Sequence, residues 1–138
     1  MYAYAKGAAR LLAAFVLLAV SVPSVTAPPA VPSDVWVALH KTLLRIDPAS
    51  NGPSATVDVT DEIEALAVDP RDGAVWMLSH KRLGKFDRNG QPLLDIRLKD
   101  IEPKFDEADT IVLNPYEGSV WVAGKKQILY LDQAGAKR

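Results

Sequence analysis

The amino-acid sequence predicts an all-β fold built from repeated antiparallel sheets, and three observations predict it. A Val-Trp pair recurs at Val35-Trp36, Val75-Trp76 and Val120-Trp121, at spacings of 40 and then 45 residues. Asp47, Asp87 and Asp132 keep the same two spacings. Asp69-Pro70 and Asn114-Pro115 are again 45 residues apart, as are Gly73 and Gly118. A repeat of roughly 40–50 residues is the length of a propeller blade. The expected fold is therefore an incomplete β-propeller of about two and a half four-stranded antiparallel blades, preceded by a signal peptide.

The N-terminal segment reads as a processing signal. Lys6 and Arg10 are its only charges through Ala27, and Leu11 to Val20 is wholly apolar. Val25-Thr26-Ala27 then places small residues where a signal peptidase reads them. The apolar run is shorter than the roughly 20 residues a bilayer-spanning helix needs, so no stable membrane span is expected after cleavage. Residues 1–27 are expected to be the signal peptide, and the Pro-rich 28–33 a linker. Residues 34–138 would be the partial propeller, with repeats at about 34–60, 61–99 and 100–138. A secreted or periplasmic location follows. The chain has no cysteine, so disulfides and thiolate metal sites are excluded, which suits a bacterial exported protein better than a small animal secreted domain. Without Lys6 and Arg10, 14 basic residues face 17 acidic ones. A net charge of about −3 argues against a nucleic-acid partner, which needs a clustered basic face.

Each strand has a local reason. "VWVAL" (35–39), "AVWML" (74–78) and "SVWVA" (119–123) are apolar at successive positions, as suits strands covered on both faces. Short polar turns follow at His40, His80 and Lys125. "LLRID" (43–47), "LGKFD" (83–87) and "ILYLD" (128–132) come next, each ending in Asp before a glycine turn at Gly52, Gly90 or Gly135. "SATVDV" (54–59) and "LLDIRL" (93–98) read as outer strands. "ALAV" (65–68) and "TIVL" (110–113) read as inner strands, ended by Asp-Pro and Asn-Pro. With strands named a to d from the axis outward, the order is b-c-d, a-b-c-d, a-b-c, or ten strands. "PPAVPS" (28–33) stands where the first strand a would lie and is too proline-rich for a central strand. "KDIEPKFDEA" (99–108) reads as a charged, solvated connection with one helical turn.

"VDPRDGAVW" (68–76) and "LNPYEGSVW" (113–121), each followed by a strand ending in Asp, resemble bacterial propeller repeats of the NHL, virginiamycin-B-lyase-like and SMP-30/gluconolactonase-like types. The resemblance spans about residues 34 to 135. It implies a ring of blades, which the expected strand inventory leaves open. Three explanations follow: a piece of a longer propeller, self-assembly through the open blade faces, or a stable open fragment.

The same resemblance implies where chemistry would sit. In virginiamycin-B-lyase-like propellers, His and Glu on one face do acid–base work. Here His40 and His80 each lie four residues after a repeat tryptophan, with Lys125 in the third copy. Glu64 and Asp109 start strands a, 45 residues apart. Strand direction puts both sets on one rim, so a His/Glu pair could remove and return a proton there. The lyase-type Trp-Phe-Thr-Glu blade motif is missing. A gluconolactonase-like metal site would need a third inward ligand beside Glu64 and Asp109, and none is identifiable. No phosphate loop, G-x-S-x-G or C-x-x-C occurs, so no cofactor is expected. The three tryptophans read as packing between blades, and the strand-end aspartates as turn chemistry. The resulting expectation is a non-enzymatic module binding an unknown ligand or protein, or serving as a scaffold. The alternative is a lyase or lactonase using His40, His80, Glu64 and Asp109.

The leader makes a direct prediction. N-terminal sequencing of the exported chain should begin at Pro28. A chain that keeps Met1 would overturn the assignment.

Overall fold

The computed structural model describes residues 35–138. The expected signal peptide and Pro-rich linker lie outside the described residues. The fold is all-β, in three antiparallel sheets, none of them closed. The first sheet holds β1 (Val35–Leu39), β2 (Thr42–Asp47) and β3 (Gly52–Asp58). The middle sheet holds β4 (Ala65–Val68), β5 (Val75–Leu78), β6 (Arg82–Phe86) and β7 (Pro92–Arg97). A single helical turn, α1 (Leu98–Ile101), leads to the last sheet, made of β8 (Ala108–Leu113), β9 (Val120–Gly124) and β10 (Ile128–Leu131). In every sheet, strands adjacent in sequence are adjacent in space. The ten strands therefore form the three-, four- and three-stranded sets that the repeat spacing implies.

Alternation along the strands builds two cores, one on each side of the middle sheet. All four residues of β5 are buried. Val75 and Met77 pack with Trp36, Leu43 and Phe86 in the core shared with the first sheet. Trp76 and Leu78 pack with Leu83, Val120, Val122 and Leu129 in the core shared with the last. Successive side chains of a strand point to opposite faces, so one short strand serves both layers. The connection at 99–108 does more than the solvated loop expected. Its Phe105 is buried beside Leu98 of α1, sealing the second core while the charged neighbours face water.

Turns fix the repeat. Asp87 Oδ1 accepts from the Asn89 and Gln91 amides, both at 2.8 Å. Asp132 Oδ1 does the same for Ala134 and Ala136, at 2.9 and 3.0 Å. Asp47 accepts from the Ala49 amide and the Ser50 hydroxyl. The first of these turns departs from expectation. Asn51, not Gly52, takes the left-handed conformation (φ 53°), which asparagine tolerates better than most residues, and Gly52 opens β3.

The layers are tied together by a second kind of turn. Asp69 is fully buried and accepts from the Arg71 amide and Nε at 3.0 Å and from Arg71 Nη2 at 2.7 Å. Arg71 also donates from Nη1 to the Tyr116 carbonyl of the last sheet at 3.5 Å. Gly118 makes room for that guanidinium, since a Cβ there would overlap Arg71. In the first interface, Trp36 Nε1 donates to the Gly73 carbonyl at 3.3 Å.

The Asp69 carboxyl feels burial, which pushes its pKa up, and the Arg71 contacts, which outweigh burial and leave it below the usual value. The Asp47 and Asp132 carboxyls are also lowered, chiefly by the amides of Ala49 and Ala136. Lowered folded-state values add stability above the ordinary carboxylate pKa, and that stability is lost as pH falls through the folded values. The melting temperature should therefore hold near neutrality and drop below about pH 4. Asp69→Ala should cost about 2–3 kcal/mol in denaturant titrations. Asp69→Asn should cost less, because Asn114 already makes the same turn by accepting from the Tyr116 amide at 3.0 Å.

Candidate functional site

The hairpin turns after β1, β5 and β9 bring the sequence-selected residues to one rim. His40 sits in the β1–β2 turn with a left-handed backbone (φ 51°). Its carbonyl accepts from the Ile63 amide at 2.8 Å, and the His80 carbonyl accepts from the Ala108 amide at 3.2 Å. The two histidine positions thus join each sheet to the start of the next. This backbone role is the same in both and needs no imidazole.

The side chains form three acid–base pairs. His80 Nε2 lies 3.0 Å from Glu64 Oε1. His40 Nδ1 lies 3.0 Å from Glu62 Oε1. Lys125 pairs with Glu107, and that carboxylate holds the ammonium above its ordinary pKa. Of the four residues selected from sequence, His80 and Glu64 are brought together. His40 takes a different acid, and Asp109 is paired with neither histidine. Asp109 falls where the β8–β9 register shifts between Ala108 and Thr110, and its charge acts instead on Lys125. The acids missed from sequence, Glu62 and Glu107, are themselves one repeat apart. That spacing was the available signal.

Two small depressions flank His80. One, of about 170 Å³, is bordered by Glu62 and Lys81; the other, of about 130 Å³, by Phe105 and Glu107. The three pairs thus follow one rim with His80 at its middle. Each histidine could exchange a proton with its carboxylate, yet both lie open to solvent, with His80 at 52% and His40 at 67% side-chain exposure. Solvent at this level weakens the electrostatic gain on which acid–base catalysis depends. Among the described residues, no group of three His, Asp or Glu side chains could hold a metal ion, and no helix is long and apolar enough to cross a membrane.

The tryptophans do not share one fate. Trp76 is fully buried and Trp36 nearly so, but Trp121 is 46% exposed and stacks on Tyr130 with ring centroids 4.3 Å apart. No sheet among the described residues covers that outer face.

No protein-family model and no curated protein matches the chain. Among solved structures the chain is similar to the Kuenenia stuttgartiensis hydrazine synthase, with a TM-score of 0.65 and 17% identity. The likeness covers 77% of this chain and 31% of that one. At this identity it concerns the fold alone. The chain spans about a third of the length of the structure it matches.

Proposed function

We propose that the chain is a partial propeller, exported, whose blades act as a non-enzymatic association module that stacks head to tail on a second copy. The observation that carries this reading is the burial of equivalent residues. Val35, Val75 and Val120 hold one repeat position, and Val37, Met77 and Val122 another. In the middle and last sheets these four are buried by the preceding sheet, but Val35 is 47% and Val37 37% exposed. Trp36 and Trp76 reach into the following sheet, while Trp121 is 46% exposed with no sheet among the described residues over it. The two outer faces are therefore the two halves of an interface the chain already forms twice internally. Contiguous exposed apolar surface of this kind marks an association site, and unlike faces meeting give a heterologous contact.

Light scattering of the purified chain should give a mass above one chain that rises with concentration. Trp121→Glu and Val37→Glu should each shift it toward the monomer by at least about tenfold in apparent affinity, with unchanged circular dichroism. Mixed together, the two variants should form dimers and stop there, because each keeps one intact face. A wild-type chain that stays monomeric at all concentrations would overturn the proposal.

A second reading, a lyase or lactonase, has one observation in its favour: the His80–Glu64 pair at 3.0 Å. Turnover of a lactone or ester that is lost in both His80→Ala and Glu64→Gln would establish it. Turnover indifferent to both would remove it.

A further inference from the structure

The repeat breaks at Gly84. Cross-strand register pairs Val37 with Leu44, Met77 with Gly84, and Val122 with Leu129. Leu44, Gly84 and Leu129 are thus one repeat position, and glycine replaces leucine only in the middle sheet. Leu129 is 2% exposed and fills the gap between the middle and last sheets. Gly84 faces the gap between the first and middle sheets with no side chain. Met77 and Phe86 fill part of it, with Met77 Cε 3.0 Å and a Phe86 ring carbon 3.2 Å from where a Cβ would stand. What is left is a cleft of about 370 Å³ whose apolar wall includes Val57, Val59, Met77 and Phe86.

One end of this cleft is basic. Residues 82, 84 and 86 of β6 share a face, and Arg97 lies opposite Arg82 on β7. Next to the cleft, and sharing Asp61 and Arg82 with it, is a second depression of about 300 Å³ lined by Lys81, Arg97 and Lys99. Three carboxylates, Asp58, Asp61 and Asp95, also line the cleft. Arg82 Nε donates to Asp95 Oδ1 at 3.0 Å. The Thr42 hydroxyl donates to Asp58 at 2.9 Å. Asp61 borders the second depression together with Lys81, Arg82, Arg97 and Lys99, and Asp61 and Asp100 both act on Arg82. Among the described residues, Lys81, Arg97 and Lys99 have no carboxylate within ion-pair distance. A strand-lined slot with an apolar wall, opening at one end onto three cations that lack an ion-pair partner among the described residues, is complementary to a molecule with an apolar body and an anionic head.

We propose that the cleft between β3 and β6–β7 binds an amphipathic organic anion, its hydrocarbon part in the space left by Gly84 and its carboxylate against Lys81, Arg97 and Lys99. This site is separate from the rim pairs and from the outer faces, and stands whether or not copies associate.

The test is calorimetric and NMR titration of the purified chain with octanoate, octan-1-ol and octylamine. Octanoate should bind about tenfold or more tightly than the alcohol, and the amine weakest. Gly84→Leu restores the side chain of the other copies and should lower octanoate affinity at least tenfold while leaving the melting temperature equal or higher. Gly84→Ala, which asks neighbours to move only a few tenths of an ångström, should give a smaller loss and covers the case in which leucine does not fit. Arg97→Gln with Lys99→Gln should bring octanoate down to the affinity of octanol. Trp121→Glu should leave binding unchanged, which excludes the outer face as the site. Equal affinity for all three probes, or octanoate binding that both folded Gly84 variants retain, would overturn the proposal.

Discussion

A short sheet that is apolar on both faces cannot be stable by itself, and this condition governs the molecule. In the middle sheet, β5 buries all four of its residues, two toward each neighbour. Each fully buried large side chain contributes on the order of 1.5–3 kcal/mol, but only while a layer covers it. The first and last sheets are those layers. The specific ties are few by comparison: the Trp36 indole to Gly73, and Arg71 spanning from Asp69 to the Tyr116 carbonyl. They set the register of one layer on the next, and apolar contact supplies most of the free energy.

This division of labour explains why polar residues recur as faithfully as the apolar ones. The strand-end aspartates each satisfy amides that would otherwise have no partner in a tight turn. The histidine positions after β1 and β5 give their carbonyls to the next sheet. Recurrence at one repeat spacing therefore points first to construction. The imidazoles are a separate matter, because the backbone link is indifferent to the side chain and Lys125 takes their place in the third copy.

The strand inventory was legible because the period and the turn residues agreed at every repeat, so strand positions, order and sheet membership could be read off together. The rim pairs were only half legible. Glu64 was selected as an acid at a strand start, and it does meet His80. Asp109 was selected by the same spacing; it forms an ion pair with neither histidine, lies beside a register shift in β8 that spacing does not reveal, and acts on Lys125. Trp121 shows a similar limit. Sequence equivalence assigns it the role of Trp76, but burial depends on whether another layer lies over it. Gly84 was passed over within "LGKFD", since a glycine in a strand attracts attention only when the facing positions of the other copies are compared.

In a repeat, the positions that match say how the layers are held, and the positions that differ say where one layer is free to do something else. Three differences stand out here. Asn114 replaces Asp69, and with it the third copy loses the acid that anchors an arginine across the layers. Lys125 replaces a histidine, which changes the proton chemistry of the rim. Gly84 replaces a leucine in a core otherwise filled by apolar side chains. The first two exchange one exposed or turn-forming polar group for another at small cost. The third is different in kind: removing a buried leucine side chain forfeits roughly 2–5 kcal/mol in a typical core. Met77 and Phe86 recover part of that by leaning into the space, and about 370 Å³ still stays open. A sheet that depends on covered faces has least reason to leave such a gap for its own stability, which is why Gly84, and not the more conspicuous histidines, marks the position where the fold gives up packing for recognition.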